Sequence, residues 1–209
     1  MKRFVDVFLR AVMTGFAIGI GAVVSLCCDN KYLGAFLFGT GLFVILSFGF
    51  NLYTGKVGYA VEEKPRYILD VAVIWLGNLA GTAAMGAMIL CTRLADTVVP
   101  KAVEMCEAKL SDTPISIFIL AIFCGMLMFI AADGYKKIDS SVGKTLAIFL
   151  PVMVFILSGY EHCIANMFYY ALAGAWTVKS TGYLIIMTLG NAVGGMFIPL
   201  VKKCFISNA

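Results

Sequence analysis

Long apolar stretches separated by short polar segments make up most of this chain. A helix that crosses a bilayer needs about 20 mostly apolar residues, so each such stretch is a candidate for a spanning helix. The predicted spans cover residues 4–28, 32–61, 67–91, 115–132, 142–172 and 181–201. Polar residues and glycine interrupt the second span near 51–55 and the fifth near 159–163. The pattern therefore predicts an all-α membrane protein with six transmembrane helices, of which helices 2 and 5 are broken.

The longest polar segment runs from Arg93 to Pro114, between the third and fourth spans. Proline is favoured at the first position of a helix, because its missing N–H would have no partner there. Pro100 therefore predicts the beginning of a short helix that ends near Lys109.

The two halves of the chain share a short repeated pattern. Leu-Gly-Asn-Leu-Ala-Gly at 76–81 returns as Leu-Gly-Asn-Ala-Val-Gly at 189–194. Ile-Leu-Ser at 45–47 returns at 156–158, so the two matches have nearly the same spacing. Because three spans are an odd number, two such halves enter the membrane from opposite sides, and their broken helices meet near the midplane. The prediction is a single transmembrane domain, 1–209, with inverted three-helix repeats at about 1–92 and about 114–205.

Composition supports a membrane protein and argues against a nucleic-acid partner. Hydrophobic residues make up 61% of the chain and charged residues 13%, and the mean hydropathy is +0.95. The net charge of +4 is small and dispersed. If both termini are cytoplasmic, that side holds eleven of the sixteen Lys and Arg residues, as the positive-inside rule requires. We therefore expect a multi-pass protein of the plasma or inner membrane with both termini in the cytoplasm.

The break in the fifth span carries unusual polar residues for its surroundings. Glu161 and His162, which is the single histidine, follow Gly159 within a long apolar tract. Ionisable residues at membrane depth are costly and usually face a bundle interior or a water-filled path, and irregular backbone at that depth lines a cavity or is buried in protein. The pattern predicts a polar site at an interrupted helix. The alternative is a buried histidine that only joins two helices.

The break in the second span offers a partner for this site. Thr54 could hydrogen-bond one nitrogen of His162, which would orient the ring and leave the other nitrogen for a substrate. The N-termini of the half-helices would favour an anion. An unpaired Glu161 carboxylate would repel anions, so Asn78 or Asn191 could bond it from a neighbouring helix. The alternative for both asparagines is a contact that only holds helices together.

The sequence contains no arrangement typical of an enzyme, a metal site or a cofactor site. There is no Ser-His-Asp arrangement, no second histidine and no nucleotide-binding P-loop. A metal site would have to use Glu161, His162 and Cys163, which are consecutive and point in different directions on a helix. The seven cysteines lack metal-ligand spacing and are interpreted as small apolar core residues. We therefore expect no enzymatic activity and no cofactor.

Residues 158–168 read Ser-Gly-Tyr-Glu-His-Cys-Ile-Ala-Asn-Met-Phe. This run closely resembles the fifth-helix signature of the formate/nitrite transporter family of pentameric anion channels, and the resemblance spans nearly the whole chain. It implies an aquaporin-like protomer in the lipid bilayer and a homopentamer with one pore per protomer.

The resemblance also implies roles for individual residues. Thr54 and the two residues before it are similar to the family's second-helix loop, in which an aromatic residue precedes the threonine. Lys109 falls where the family has a lysine of the outer vestibule, and Asn191 falls where it has a sixth-helix asparagine. Both are assigned, together with Thr54, Glu161 and His162, to the predicted pore or substrate site. The implied constriction consists of apolar residues around His162, for which ordinary packing is the alternative: Phe38, Leu42, Leu52, Tyr53 and Phe155.

This chain departs from the family pattern at two places. Gly125 stands where formate channels have an asparagine in the fourth helix. The first span begins almost at the start of the sequence, whereas family members usually carry an inner N-terminal helix that has been proposed to gate the pore. Gating by such a helix is therefore not expected here.

The leading hypothesis is a channel or proton-linked transporter for small monovalent anions of weak acids. The resemblance implies formate, nitrite or hydrosulfide as the anion. Lys109 would attract it, apolar residues would reject hydrated ions, and protonation at or near His162 would let it cross as a neutral acid. The alternative is an aquaporin-like channel for neutral solutes, although the paired Asn-Pro-Ala loops of that class are absent. A membrane scaffold would leave His162 and the broken helices unexplained.

Overall fold

Helices form the regular structure of residues 2–206, the part of the chain that the computed structural model describes. Met1 and residues 207–209 of the predicted domain lie outside it. The α-helices are α1 Lys2–Cys27, α2 Lys31–Ser47, α3 Tyr53–Lys56, α4 Tyr67–Leu90, α5 Ala95–Ser111, α6 Pro114–Lys137, α7 Ser141–Leu157, α8 Cys163–Leu172 and α9 Val178–Val201. A 3₁₀-helix, Val57–Val61, follows α3, and a π-helix, Lys202–Ile206, follows α9. The predicted all-α class is confirmed.

Four of the described helices, α1, α4, α6 and α9, are each long and apolar enough to cross a membrane. Helices α2, α7 and α8 are apolar but shorter. The chain therefore contains two segments made of two parts, α2 followed by α3 and α7 followed by α8. These are the two segments that the sequence predicted to be broken.

A glycine ends the first part of each broken segment. Gly49 has a φ of +67° and Gly159 a φ of +69°, a left-handed conformation that glycine adopts without steric cost and that commonly ends a helix. Leu52 and His162 are the last residues before α3 and α8, and each has an extended backbone. The two breaks thus occur where the sequence predicted them.

Matching backbone hydrogen bonds show how the two halves correspond. After the first break, the N–H of Phe50 donates to the carbonyl of Ile45 over 2.8 Å, and after the second the N–H of Tyr160 donates to the carbonyl of Phe155 over 2.9 Å. The shared Ile-Leu-Ser pattern predicted that Ile45 corresponds to Ile156. In the structure Ile45 corresponds to Phe155. The predicted register was wrong by one position, because a short apolar run can be shifted along a helix whereas the left-handed glycine cannot.

Glycines allow the long helices of each half to approach closely. α1 packs against α2 and α4, and α6 packs in the same way against α7 and α9. A Cβ atom at Gly81 would overlap the carbonyl oxygen of Val12, and one at Gly194 would overlap that of Ile122. The two glycines are the last residues of the repeated Leu-Gly-Asn pattern, one in each half. Small residues at these contacts let the backbones meet, as is common between helices in membranes.

Both ends of the described chain lie at the same end of the helix bundle. Arg3, at the start of α1, forms an ion pair with Asp70 in the first turn of α4. Beyond α9, Lys203 donates to the carbonyl of Val61, shortly before α4, over 3.0 Å. These contacts agree with a topology in which the two termini share one side of the membrane.

The predicted beginning of the helix in the polar segment was wrong. α5 begins at Ala95, and Pro100 lies inside it. The carbonyl of Leu94 accepts hydrogen bonds from Thr97 and Val98, so the helix starts before the proline. Pro100 then costs this helix one backbone hydrogen bond, because proline has no N–H to donate.

Candidate functional site

Two buried asparagines hold the second parts of the broken segments. The side-chain oxygen of Asn78 accepts the N–H of Tyr53 over 2.9 Å, and its amide donates to the carbonyl of Asn51 over 2.8 Å. Asn191 makes the same pair of bonds over the same distances, with the N–H of Cys163 and the carbonyl of Glu161. Each amide therefore supplies the acceptor that the first N–H groups of a helix require.

Asn191 is consequently a support for the break and not a lining residue of the cavities described below. Its side chain is fully buried, and its amide also donates to the carbonyl of Ala121 on α6 over 2.7 Å. The structure thus places the predicted pore residue Asn191 behind the site, bonded to backbone on three sides. This geometry matches the alternative interpretation, a contact that holds helices together.

Thr54 and His162 lie in direct contact between the two breaks. The hydroxyl oxygen of Thr54 is 3.0 Å from Nε2 of His162, and both side chains are buried. This is the hydrogen bond expected from the sequence. The other ring nitrogen, Nδ1, accepts the backbone N–H of Ala165 over 3.1 Å. A nitrogen that accepts this bond carries no proton, so in neutral His162 the proton is on Nε2 and is donated to Thr54.

The second nitrogen of His162 is therefore not free for a substrate, contrary to the expectation. His162 is the N-cap residue of α8, and Nδ1 satisfies one of the N–H groups at the start of that helix. The hydroxyl hydrogen of Thr54 is not needed for the bond to His162. Among the groups at the contact, this hydrogen is the one that can be donated to a substrate.

Two aromatic rings lie in sequence beside the His162 ring. The ring of Phe155 lies 5.6 Å from it, and the ring of Phe38 lies edge-on to Phe155 at 5.7 Å, both measured between centroids. Leu42 and Leu52 are almost completely buried in the same core as the two phenylalanines. We call these four residues the apolar cluster, and their role as a constriction stays a prediction.

Two cavities approach this cluster. One, the Lys109 cavity, has a volume of about 80 Å³ and is lined by Lys109, Phe155, His162 and Asn166 among others. The second, the Lys56 cavity, has a volume of about 110 Å³, and its lining includes Leu42, Leu52 and Lys56. Phe155 and His162 thus line the first cavity, and the two leucines line the second, so the apolar cluster lies against both.

Phe38 and Tyr53, which were also assigned to the constriction, line neither of these two cavities. Phe38 packs behind Phe155. The hydroxyl of Tyr53 donates to the carbonyl of Thr188 on α9 over 3.1 Å. The side chain of Tyr53 is thus turned toward the neighbouring helix.

Glu161 is paired with a cation and not with the expected asparagine side chains. Its Oε2 accepts a hydrogen bond from the ammonium of Lys109 over 2.7 Å and another from the amide of Asn166 over 2.8 Å. The Glu161 and Lys109 side chains are 4% and 15% exposed. Asn191 bonds the backbone carbonyl of Glu161 instead of its carboxylate. The positive charge of Lys109 is consequently offset by a buried carboxylate beside it.

Asn166 is a site residue to which the sequence assigned no role. Its amide donates to Glu161 and also to the carbonyl of His162 over 3.0 Å, while its side-chain oxygen is buried without a partner among the described residues. The sequence signal that could have identified Asn166 was its position four residues after His162, because that spacing places two residues on one face of a helix.

Gly125 lies at a close contact between α6 and α9. A Cβ at this position would overlap the backbone of Asn191, the residue that holds the second break. The close approach explains why a larger residue such as asparagine would not fit here without separating the two helices.

Known proteins resemble this chain over nearly its whole length. The family model for the formate/nitrite transporter matches residues 1–204. Formate channel FocB of Escherichia coli K12 is 27% identical, with 96% of this chain and 86% of that protein covered. Nitrite transporter NirC of the same organism is also 27% identical, with 90% and 78% covered.

A solved structure described as a pentameric formate channel with formate bound has the same fold. It superposes with a TM-score of 0.86 at 26% identity and covers 100% of this chain and 99% of its own. The match extends through both broken segments and the helices that hold them. The chain belongs to the formate/nitrite transporter family.

Proposed function

We propose that this protein is a membrane channel for small monovalent anions of weak acids, with formate and nitrite as its first candidate substrates. The observation that carries the proposal is the hydrogen-bonded Thr54–His162 pair, next to an apolar cluster that lies against two cavities. The names of FocB and NirC support the choice of anion. Hydrosulfide is a third candidate.

The geometry explains how a weak acid would be selected. A charged ion cannot cross the apolar cluster without losing its hydration, which is expensive. A weak-acid anion can avoid this cost by taking up a proton and crossing as a neutral molecule. The Thr54 hydroxyl can donate a hydrogen bond to it, and His162 is the titratable group beside that hydroxyl.

We further propose that the assembly and topology follow those of the family. The protein would form a homopentamer with a pore in each protomer, as the related formate channel is described as pentameric. The chain 1–209 would be one transport domain with six crossings, inverted repeats at about 1–92 and 114–205, and both termini cytoplasmic. Its membrane would be the plasma or inner membrane, and it would have no catalytic activity.

Flux into liposomes containing the purified protein tests the function. Formate, nitrite and hydrosulfide are each supplied at pH 5.5 and pH 7.5, and chloride and glycerol serve as comparisons. We expect flux of at least one weak-acid anion that increases at the lower pH, with little chloride flux. Glycerol flux without anion flux would instead favour the aquaporin-like alternative and overturn the proposal.

A further inference from the structure

Lys56 is a cation that lines a cavity and has no partner of opposite charge among the described residues. It is half-buried and follows Thr54 by two residues, at the end of α3. Within the part of the chain that the structure describes, its ammonium makes no hydrogen bond or ion pair. A half-buried ammonium has lost part of its hydration, and this one has gained no partner in exchange. An anion that binds beside it would therefore be stabilised.

The other charged group in the lining of the Lys56 cavity has the same sign. Lys136 is the second charged lining residue, and its ammonium lies 4.0 Å from the centre of the Tyr59 ring. Lys144 lies 5.7 Å from the centre of the ring of Tyr135, which also lines the cavity. Among the described residues, no carboxylate is part of this lining.

Two nearby carboxylates belong to ion pairs, and neither of them pairs with Lys56. Asp133 accepts the ammonium of Lys137 over 2.9 Å and lies 3.8 Å from that of Lys202. Asp6 is paired with Arg10 over 3.1 Å. Asp133 also attracts Lys136. The charged groups that act on Lys56 are the cations Lys136 and Arg10, so the charge of Lys56 itself is not offset by a carboxylate.

The Lys109 cavity differs from the Lys56 cavity in how its lysine is paired. There, Lys109 is held at 2.7 Å from Glu161, so the pair is close to neutral. Lys56 and Lys136 have no such partner in the described lining of their cavity. The cation in the lining of the Lys109 cavity is consequently paired with a carboxylate, whereas Lys56 in the other lining is not.

We infer that Lys56, supported by Lys136, forms an anion-binding subsite at this approach to the constriction. The inference rests on the proposed anion-channel function and deepens it. The subsite takes small oxyanions by charge and holds them before they are protonated and pass Leu42 and Leu52. Anions of higher charge, which cannot cross as neutral acids, bind there and block the path.

Inhibition by sulfate added to one side tests the subsite. Formate flux is measured in everted and right-side-out membrane vesicles, with ionic strength held constant by chloride. Labelling of a variant that retains only exposed Cys204, which lies at the same end of the bundle as Lys56, reports the orientation of each vesicle preparation. We expect sulfate to inhibit wild-type flux when it faces Lys56 and to inhibit much less when it faces Lys109.

Three variants make the result specific. Lys56→Gln should raise the half-inhibiting sulfate concentration about tenfold, because one unscreened charge is lost from the approach. Lys56→Arg should keep the inhibition, and Lys64→Gln, which removes an exposed charge outside the cavity lining, should leave it unchanged. Flux at saturating formate shows that each variant is folded.

The outcomes separate this inference from the proposed function. If wild-type protein carries no weak-acid anion, the function itself is wrong. If formate flux is normal and sulfate inhibits Lys56→Gln as strongly as wild type, or inhibits from the Lys109 side alone, only the subsite is overturned.

Discussion

Lys109 and Glu161, 52 residues apart in the chain, form an ion pair of 2.7 Å at the cavity that reaches His162. From the sequence, Lys109 was expected to be a vestibule charge that attracts anions. In the structure it is mostly buried and forms an ion pair with the carboxylate beside the site. Removal of the lysine should therefore act through the carboxylate that remains.

Lys109→Ala should lower the free energy of unfolding by ~3 kcal/mol, because it leaves a buried carboxylate without its cation. Formate flux should fall at every salt concentration, since a direct ion pair is poorly screened. The double variant Lys109→Ala with Glu161→Gln should recover much of the stability. Thermal unfolding of the assembled protein measures this, and a salt-sensitive loss of flux with normal stability would instead support the original role of Lys109.

His162→Asn should keep the fold and change the pH dependence of transport. Asparagine is a good N-cap residue, so its side chain can still accept the N–H of Ala165 at the start of α8. The titrating group is lost, so formate flux should no longer follow pH as in the wild type, and chloride should pass more readily. Equal rates and equal pH profiles for variant and wild type would show that His162 is only structural.

Thr54→Val should test the role of the hydroxyl, because valine keeps the shape of the side chain and lacks the hydroxyl. Valine leaves the N–H of His162 without an acceptor, which should cost ~1–3 kcal/mol of stability, and removes the donor offered to a substrate. We expect formate flux about tenfold lower, the rate that corresponds to one lost hydrogen bond of ~1.4 kcal/mol. Thr54→Ser is the matched control and should retain most of the flux.

Asn78→Leu and Asn191→Leu should have similar effects, because the two asparagines occupy equivalent positions in the repeat. Each variant leaves the first N–H of a half-helix and two buried carbonyls without their side-chain partner. We expect a loss of ~3 kcal/mol or more for each, since buried unsatisfied groups cost ~1–3 kcal/mol apiece. A much larger loss for one variant than for the other would contradict the equivalence.

Cysteine labelling should report the topology. With both termini cytoplasmic, a membrane-impermeant maleimide applied outside intact cells should label a variant that retains only exposed Cys91 and spare one that retains only exposed Cys204. The pattern should reverse in everted vesicles. Burial raises the pKa of Cys106 to about 11, which keeps its thiol protonated, so a variant retaining only Cys106 should stay unlabelled in both preparations.

The sequence alone determined the features that depend on local pattern. Apolar length identified the long helices, and the glycine and polar residues inside apolar tracts identified both breaks. The conjunction of a single histidine with a threonine at the other break was enough to predict the contact between Thr54 and His162. Each of these follows from the cost of polar groups and free backbone at membrane depth, which is a property of the residues themselves.

Only the tertiary structure decided which charges are paired and which are not. Lys109 and Lys56 are both lysines near an apolar cluster, yet one lies against Glu161 and the other faces a cavity whose described lining has no carboxylate. Likewise Asn191 bonds backbone, while Asn166 bonds the carboxylate. A difference of a few ångströms in helix position separates an ion pair from an unpaired charge, and the position of one helix against another depends on close contacts such as that of Gly125 with Asn191.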